Sequence, residues 1–442
     1  MLLTNYPLRS NNYPLLNLKP YKPTNIDPIK KNKRHQLLII GWGWPEPNAT
    51  AAGFRMLQLA NYFLERSYEV TFVATTAENE YSLSLVTLGI KTKQVVLNSD
   101  SFNDFIADLQ PNIVLFDRFL SEEQFGWRVA KHAPDALRIL DTEDLHSLRY
   151  VRELCFKTKI PFTVDIWLQD DKTKREIASI YRCDMSLIIS DFEINLLRTT
   201  IGINESLLLH LPFMLAKDDI PIKTPSFEER SDFIFIGGGK HLPNLDAIKY
   251  LKKDIWPKIK TKLPNAKLEI YGAYLPQQIL EFNDAVSGFN VLGKASNVSE
   301  VLQNAKVCLA PLRFGAGIKG KLLHAMQFGT PSVTTSIGAE GMHGDLDWNG
   351  VIADEESDFV TAAVTLYLNR TQWEKAQRNG NALLNSRYHK ASLENTFDFK
   401  ISQLHNHLEN HRIQNFIGSL LEHQTMASTK YMSKWIQEKN KK

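Results

Sequence analysis

Short apolar runs, each closing on a glycine or a polar residue and followed by a stretch of helical spacing, recur from Leu37 to Ala353. The first, Leu37–Ile40, ends in Gly41-Trp42-Gly43-Trp44-Pro45, and Met56, Leu57, Leu59, Ala60, Phe63 and Leu64 follow at helical spacing. Val70–Ala74, Ile113–Asp117, Leu137–Asp141 and Met185–Ser190 continue the series, with helical stretches such as 121–133 and 168–182 between them. Continuous apolar runs suit strands covered on both faces, and strands alternating with helices predict a parallel sheet between helical layers. Ligands of such sheets sit at the carboxyl ends of the strands, which singles out Trp42, Asp117, Asp141 and Ser190 by position alone.

Residues 215–231, LAKDDIPIKTPSFEERS, are polar and proline-containing and read as a linker. A second series starts at Asp232, with strands at Phe233–Ile236, Lys267–Tyr271, Asn290–Leu292, Val307–Ala310, Ser332–Thr335 and Val351–Ala353. Its helices fall at 244–260, 297–304, 319–328 and 355–368, with Asn244 and Asn297 as N-caps. The expected fold is α/β: two doubly wound, Rossmann-like domains, 36–214 and 232–390, facing each other across a central cleft. Residues 1–35, rich in Asn, Pro and Lys, read as an irregular arm, and 391–442 as a polar helical segment with a frayed tail.

Composition narrows the function. Lys and Arg number 52 against 49 Asp and Glu, a net charge of +3, too even for the basic stripe of a nucleic-acid binder. Cys155, Cys183 and Cys308 are far apart with no CxxC, which argues against zinc and iron–sulfur sites and fits a reducing, cytoplasmic setting. The N-terminus lacks the apolar core of a signal peptide, and no apolar run reaches the roughly 18 residues of a membrane span. The richest stretch, Leu207–Ala216, is interrupted by His210 and Pro212. A soluble protein is expected; a peripheral membrane contact is left open.

Residues 308–331, CLAPLRFGAGIKGKLLHAMQFGTP, are the most informative segment. A strand runs into a loop with Gly315, Gly317, Ile318 and Gly320, and a helix opens carrying Lys319 and Lys321. Glycines let a ligand approach the backbone, a helix N-terminus binds anions, and two lysines add full charge: the chemistry of a diphosphate site. The spacing is not GxxxxGK[ST], so ATP hydrolysis is not implied. The alternative is a tight turn with solvent-facing lysines. In FIFIGGGKHLPNLD, residues 233–246, a second strand runs into Gly237, Gly238 and Gly239, then Lys240 and His241. His241 either donates to a phosphate or caps a turn.

These segments resemble retaining glycosyltransferases of the GT-B fold, family 4 (glycosyl transferases group 1). FIGGGKHLPNLDAIKYL, IWPKI, LPNAKLEIYGA and VLGKASNVSEVLQNAKVCLAPLRFGAGIKGKLLHAMQFGTPSVTTSIGAEGM carry the likeness over 232–342. GWGWPEPNATAAGFRMLQLANYF, FDRFLSEEQFGWRV and LDTEDLHSLR extend it more loosely to the first half. The resemblance implies transfer of a sugar, with retention, from a nucleotide-sugar donor held by the second domain to a glycan, lipid-linked or small-molecule acceptor held by the first. It implies a diphosphate stabilised by Lys319 with Lys240 as partner, and no cofactor or metal. Lys321, two helical positions on, points either to the diphosphate or elsewhere.

The chain departs from the family where many members carry Glu, seven residues, Glu: here the positions hold Ala316 and His324. A neutral imidazole offers a ribose hydroxyl one acceptor where a carboxylate offers several. Glu340 is a candidate substitute or a solvated turn residue. On the acceptor side, Trp42, Gly43, Trp44 and Gly53 belong to the loop after the first strand. Asp144 and His146 are candidate bases for an acceptor hydroxyl, or parts of an acidic turn capping a helix. Arg118 is free to pair with Glu122 or Glu123 as well as with an acceptor. Asp345-Leu346-Asp347 reads as the metal-binding DxD of the other glycosyltransferase fold, but late in a glycine-rich loop. Trp127, Trp167 and Trp256 fall on helical patterns and read as core. A non-catalytic GT-B protein binding nucleotide or glycan, a nucleotide-sugar epimerase and a phosphorylase are the rivals.

Overall fold

The computed structural model describes residues 35–440, so the expected arm, apart from His35, and the last two residues of the tail lie outside the described residues. Strands β1 (Gln36–Gly41), β2 (Glu69–Ala74), β3 (Lys91–Gln94), β4 (Ile113–Asp117), β5 (Leu137–Asp141), β6 (Met185–Ile188) and β7 (Leu208–His210) form one parallel sheet in the order β3-β2-β1-β4-β5-β6-β7. Strands β8 (Ser231–Ile236), β9 (Leu268–Tyr271), β10 (Phe289–Gly293), β11 (Ala305–Ala310), β12 (Ser332–Thr334) and β13 (Gly350–Ile352) form the other, in the order β10-β9-β8-β11-β12-β13. Leu37 faces Val70 of β2 on one side and Ile113 of β4 on the other. Both sheets therefore reverse direction beside their first strand, and the loops after β1 and β8 open into the crevice that this switch creates.

The apolar runs are buried on both faces. Leu38 and Ile40 pack into one helical layer with Phe116 and Leu140, while Leu37 and Ile39 pack into the other with Leu59 and Phe63. Trp127, Trp167 and Trp256 are buried core residues. Two strands lie outside the expected series: β3, with sequence KTKQ at the sheet edge and no apolar run, and the three-residue β7, LLH, within the apolar stretch Leu207–Ala216.

Local chemistry moves several helix boundaries. The helix expected from 121 begins at Arg118, directly after β4. The 168–182 stretch is two helices, Val164–Gln169 and Asp171–Arg182, because Asp170 caps the second by accepting from Lys172 N. Asn297 caps as expected, accepting from Ser299 N and Glu300 N. Asn244 does not, because the helix Leu242–Tyr250 has already opened two residues earlier. Beyond the second sheet, the helices Lys390–Gln414 and Phe416–Asn440 return to the first domain. Tyr62 Oη donates to Asp398 at 2.6 Å, and Arg412 Nε donates to the buried Asp184 at 2.7 Å. Among the described residues, no helix is long and apolar enough to cross a membrane.

Candidate active site

The first domain's wall is the loop between β1 and the helix Ala51–Glu65. Thr50 Oγ1 caps that helix by accepting from Gly53 N at 3.0 Å, and the loop folds so tightly that a Cβ on Gly53 would lie 2.4 Å from Glu46 N. Gly53 is thus demanded by packing, although it also lines the cleft. Trp42 is exposed, and its N–H donates to Asp117 Oδ2 at 3.0 Å. Trp44 lines the cleft as well. It is buried, its indole N–H donates to Thr76 O at 2.7 Å and its ring packs on Phe72 at 5.5 Å.

Polar residues at the ends of β4 and β5 form the floor. Arg118 (φ 70°) and Glu143 (φ 63°) hold left-handed backbone without being glycine, a cost of about 1–3 kcal/mol each. Arg118 Nε lies 3.4 Å from Asp117; its other expected partners are taken, Glu122 by Arg182 and Glu123 by Arg175. Asp141 is not in the cleft, because it holds the buried Arg55 with both oxygens. Burial would raise the Asp144 carboxyl, but Arg149 and His146 outweigh it and hold it down to about 2. His146 Nδ1 lies 3.0 Å from Asp144 O and 3.1 Å from Asp144 Oδ1, which puts its proton on Nδ1. Burial keeps its ring neutral, with a pKa near 3. Glu143 is different: its Oε1 has no hydrogen-bond partner, and burial, with Asp141 and Asp117 nearby, pushes it well above the usual carboxylate range.

The second domain supplies cations. Asn244, expected as a cap, ties the two glycine–lysine loops together: Nδ2 donates to Gly238 O at 2.9 Å, and Oδ1 accepts from Lys321 Nζ at 2.6 Å. Lys319 precedes the helix Gly320–Gln327 and is buried, with Nζ donating to Gly317 O at 2.7 Å. Burial pushes both Lys319 and Lys321 down to about 8. Lys240 is exposed and reaches the opposite domain, 3.7 Å from Glu46 and 3.5 Å over the Tyr274 ring. His241 precedes its helix without a capping hydrogen bond, and its side chain is exposed. His324 lies edge-on to Phe54 at 5.6 Å, and burial lowers it to about 4.

These walls enclose a cleft of about 670 Å³ lined by Lys319, Lys321, Lys240, His241 and His324 on one side and by Glu143, Asp144, His146 and Arg149 on the other. Gly43, Gly237, Gly238, Gly315 and Ile318 line it as well. Three expected residues do not. Gly239 packs on the Tyr274 backbone. Gly317 turns its N–H to Glu193 Oε1 at 2.8 Å, across the domain boundary. Glu340 instead pairs with Arg152, which donates to its two oxygens at 2.7 and 2.8 Å. Asp345 and Asp347 also lie outside, with Asp347 exposed near Lys375.

Sequence reasoning passed over Arg149, Arg152, Glu176 and Glu193. Glu176 accepts from His146 N and Ser147 N and sets the turn after β5. Glu193 had a signal, since it lies three residues beyond the strand-end Ser190.

Two parallel-sheet Rossmann-like domains facing a shared cleft constitute the GT-B fold of glycosyltransferases. Within it, residues 230–369 match the family described as Glycosyl transferases group 1. The chain is similar to sucrose-phosphate synthase from Thermosynechococcus elongatus (TM-score 0.63, 13% identity, 84% of this chain and 99% of that one). It is also similar to Anabaena HepE in complex with UDP and glucose (0.63, 10%, 84% and 100%) and to a glycosyltransferase from Rickettsia africae (0.60, 10%, 84% and 98%). At such identities the likeness is one of fold. No curated protein matches the chain.

Proposed function

We propose that the protein is a glycosyltransferase using a nucleotide-sugar donor, transferring with retention in the manner of family 4, and working in the cytoplasm. One observation carries the reading: two glycine–lysine strand-end loops, joined through Asn244, bring the buried Lys319 and the half-buried Lys321 to one wall of the cleft, opposite the carboxylates of the other domain. The complex of Anabaena HepE with UDP and glucose supports the choice of donor.

In the reaction, the bond between the anomeric carbon and the leaving phosphate oxygen breaks. The acceptor oxygen bonds to that carbon on the same face. Negative charge grows on the departing diphosphate, where Lys319, Lys321 and the N–H groups opening the helix Gly320–Gln327 are already in place. The acceptor's proton passes to a base. Asp144, held down to about 2, and His146, held near 3, are both weak ones. Glu143, which burial pushes above the usual carboxylate range, is the stronger base and lines the same cleft. With lysines on the diphosphate, no divalent ion is required.

A thermal-shift screen of UDP-, GDP- and TDP-sugars tests the reading, because a bound donor raises the melting temperature by mass action. No shift with any of them would sink it. His324 and Ala316, in place of the family's glutamates, favour a second reading: a protein that binds nucleotide without turning over. A shift with no transfer to any acceptor would support it.

A further inference from the structure

The helix Phe416–Asn440 has two unlike faces. Toward the first domain, Glu422 accepts from Arg138 Nη1 at 3.1 Å, Ser433 accepts from Arg128 Nη2 at 2.9 Å and Gln437 donates to Asp100 at 2.9 Å. Gly418 sits on the same side, against the Tyr181 carbonyl. The opposite face is apolar and open: Ile417, Leu420, Tyr431, Met432 and Trp435 are 49, 47, 66, 58 and 60% exposed. Ile417 and Leu420, Leu420 and Tyr431, Tyr431 and Trp435, and Met432 and Trp435 are three, eleven, four and three residues apart, near-whole helical turns, so the five share one face.

The charge around the stripe identifies its occupant. Lys430 and Lys439 stand beside the aromatics, with their ammonium groups 5.7 Å from the Tyr431 ring centre and 5.4 Å from that of Trp435. Lys434 falls in the same segment, and the sequence continues with Lys441 and Lys442; Glu438 is the one acid from 428 to 442. Trp and Tyr favour the boundary between acyl chains and headgroups, and lysines favour anionic headgroups. An amphipathic helix with aromatic residues on one face and lysines at its flanks suits a bilayer surface, lying in the interface rather than crossing it.

We infer that this face of the C-terminal helix docks the protein on an anionic lipid bilayer. The docking stands apart from the cleft and holds whatever sugar the cleft transfers. The test is co-sedimentation of the full chain with phosphatidylcholine vesicles made with and without phosphatidylglycerol. The expected result is binding only where phosphatidylglycerol is present, weakened by salt. Tyr431→Ser/Met432→Ser/Trp435→Ser should lower partitioning at least about tenfold. Lys430→Gln/Lys434→Gln/Lys439→Gln should lower it about fivefold per lysine and flatten the salt dependence. The lysine variant alters no apolar packing and keeps the test decisive if the triple serine variant misfolds. The inference is overturned by absent binding, by equal binding to neutral vesicles or by variants that bind like the parent. A dimer in sedimentation velocity that the serine variant dissolves overturns it too, because a second copy would then cover the face.

Discussion

Lys319→Ala tests the charge that the proposed chemistry needs most. The ammonium lies in the cleft ahead of the helix Gly320–Gln327, and burial holds it down to about 8. It therefore loses its charge at lower pH than an ordinary lysine, which stays protonated to about pH 10. The free enzyme should lose kcat/KM as pH rises through 8, because the lost proton is the one that meets the diphosphate. Lys321, also near 8, steepens the fall. Bound diphosphate stabilises the ammonium, so kcat should hold to higher pH than kcat/KM. The alanine variant should lose about 2.7–4 kcal/mol of transition-state stabilisation, roughly a hundred- to a thousandfold in kcat, with a smaller loss of donor affinity. It also leaves Gly317 O without its partner, so melting is measured first to show that the variant is folded. Steady-state kinetics against pH and donor calorimetry are the assays. An unchanged kcat in the folded variant, or an alkaline limb like the parent's, would refute the assignment.

Other outcomes follow from the same geometry. Glu143→Gln should lower kcat about 10²–10⁴-fold with little change in donor Kd, and a variant of parental kcat would return the base to Asp144. His324→Glu should strengthen nucleotide binding by about 1.5–3 kcal/mol if the ribose lies there, as calorimetry would resolve; unchanged or abolished affinity puts the ribose elsewhere. With its pKa lowered to about 4, His324 stays neutral above pH 5, so its titration should not weaken donor binding between pH 8 and 5. Activity should survive EDTA, whereas loss on chelation with rescue by Mg²⁺ or Mn²⁺ would bring Asp345 and Asp347 back. Arg152→Ala should cost about 3–5 kcal/mol in denaturant unfolding by stranding the largely buried Glu340 carboxylate, and a near-neutral change would show that the pair is not closed in solution.

The sheets were legible because a strand covered on both faces must be apolar throughout, as Leu37–Ile40 is. The glycine–lysine loops were legible because both follow such strands. Strand β3 was not, since a sheet edge tolerates KTKQ, and the return of the last two helices depends on pairs such as Tyr62 with Asp398. The same limit hid much of the site. Arg152 meets Gly315 and Glu340, 163 and 188 positions away, and no local spacing encodes that partnership. Asn244 looked like a helix cap because its role as a strut between two loops exists only once both are folded.

The glycines of the 315–320 loop show how one motif serves two ends. Read alone, they bare the backbone to a phosphate. In the fold, Gly317 has φ 64° and would place a Cβ 2.6 Å from Asp144 Cβ, while a Cβ on Gly320 would lie 2.7 Å from that of Ala51. Both contacts cross from the second domain to the first, and Gly317 spends its N–H on Glu193 there. These two glycines set how closely the domains approach, and the positive charge on this wall of the cleft comes from the lysines around them. A side chain at 317 or 320 would hold the walls apart before it touched a ligand, separating Lys319 from Glu143 and Asp144. The loop is thus an interdomain contact and a cation platform together, because the same short segment packs on the first domain and carries Lys319 and Lys321.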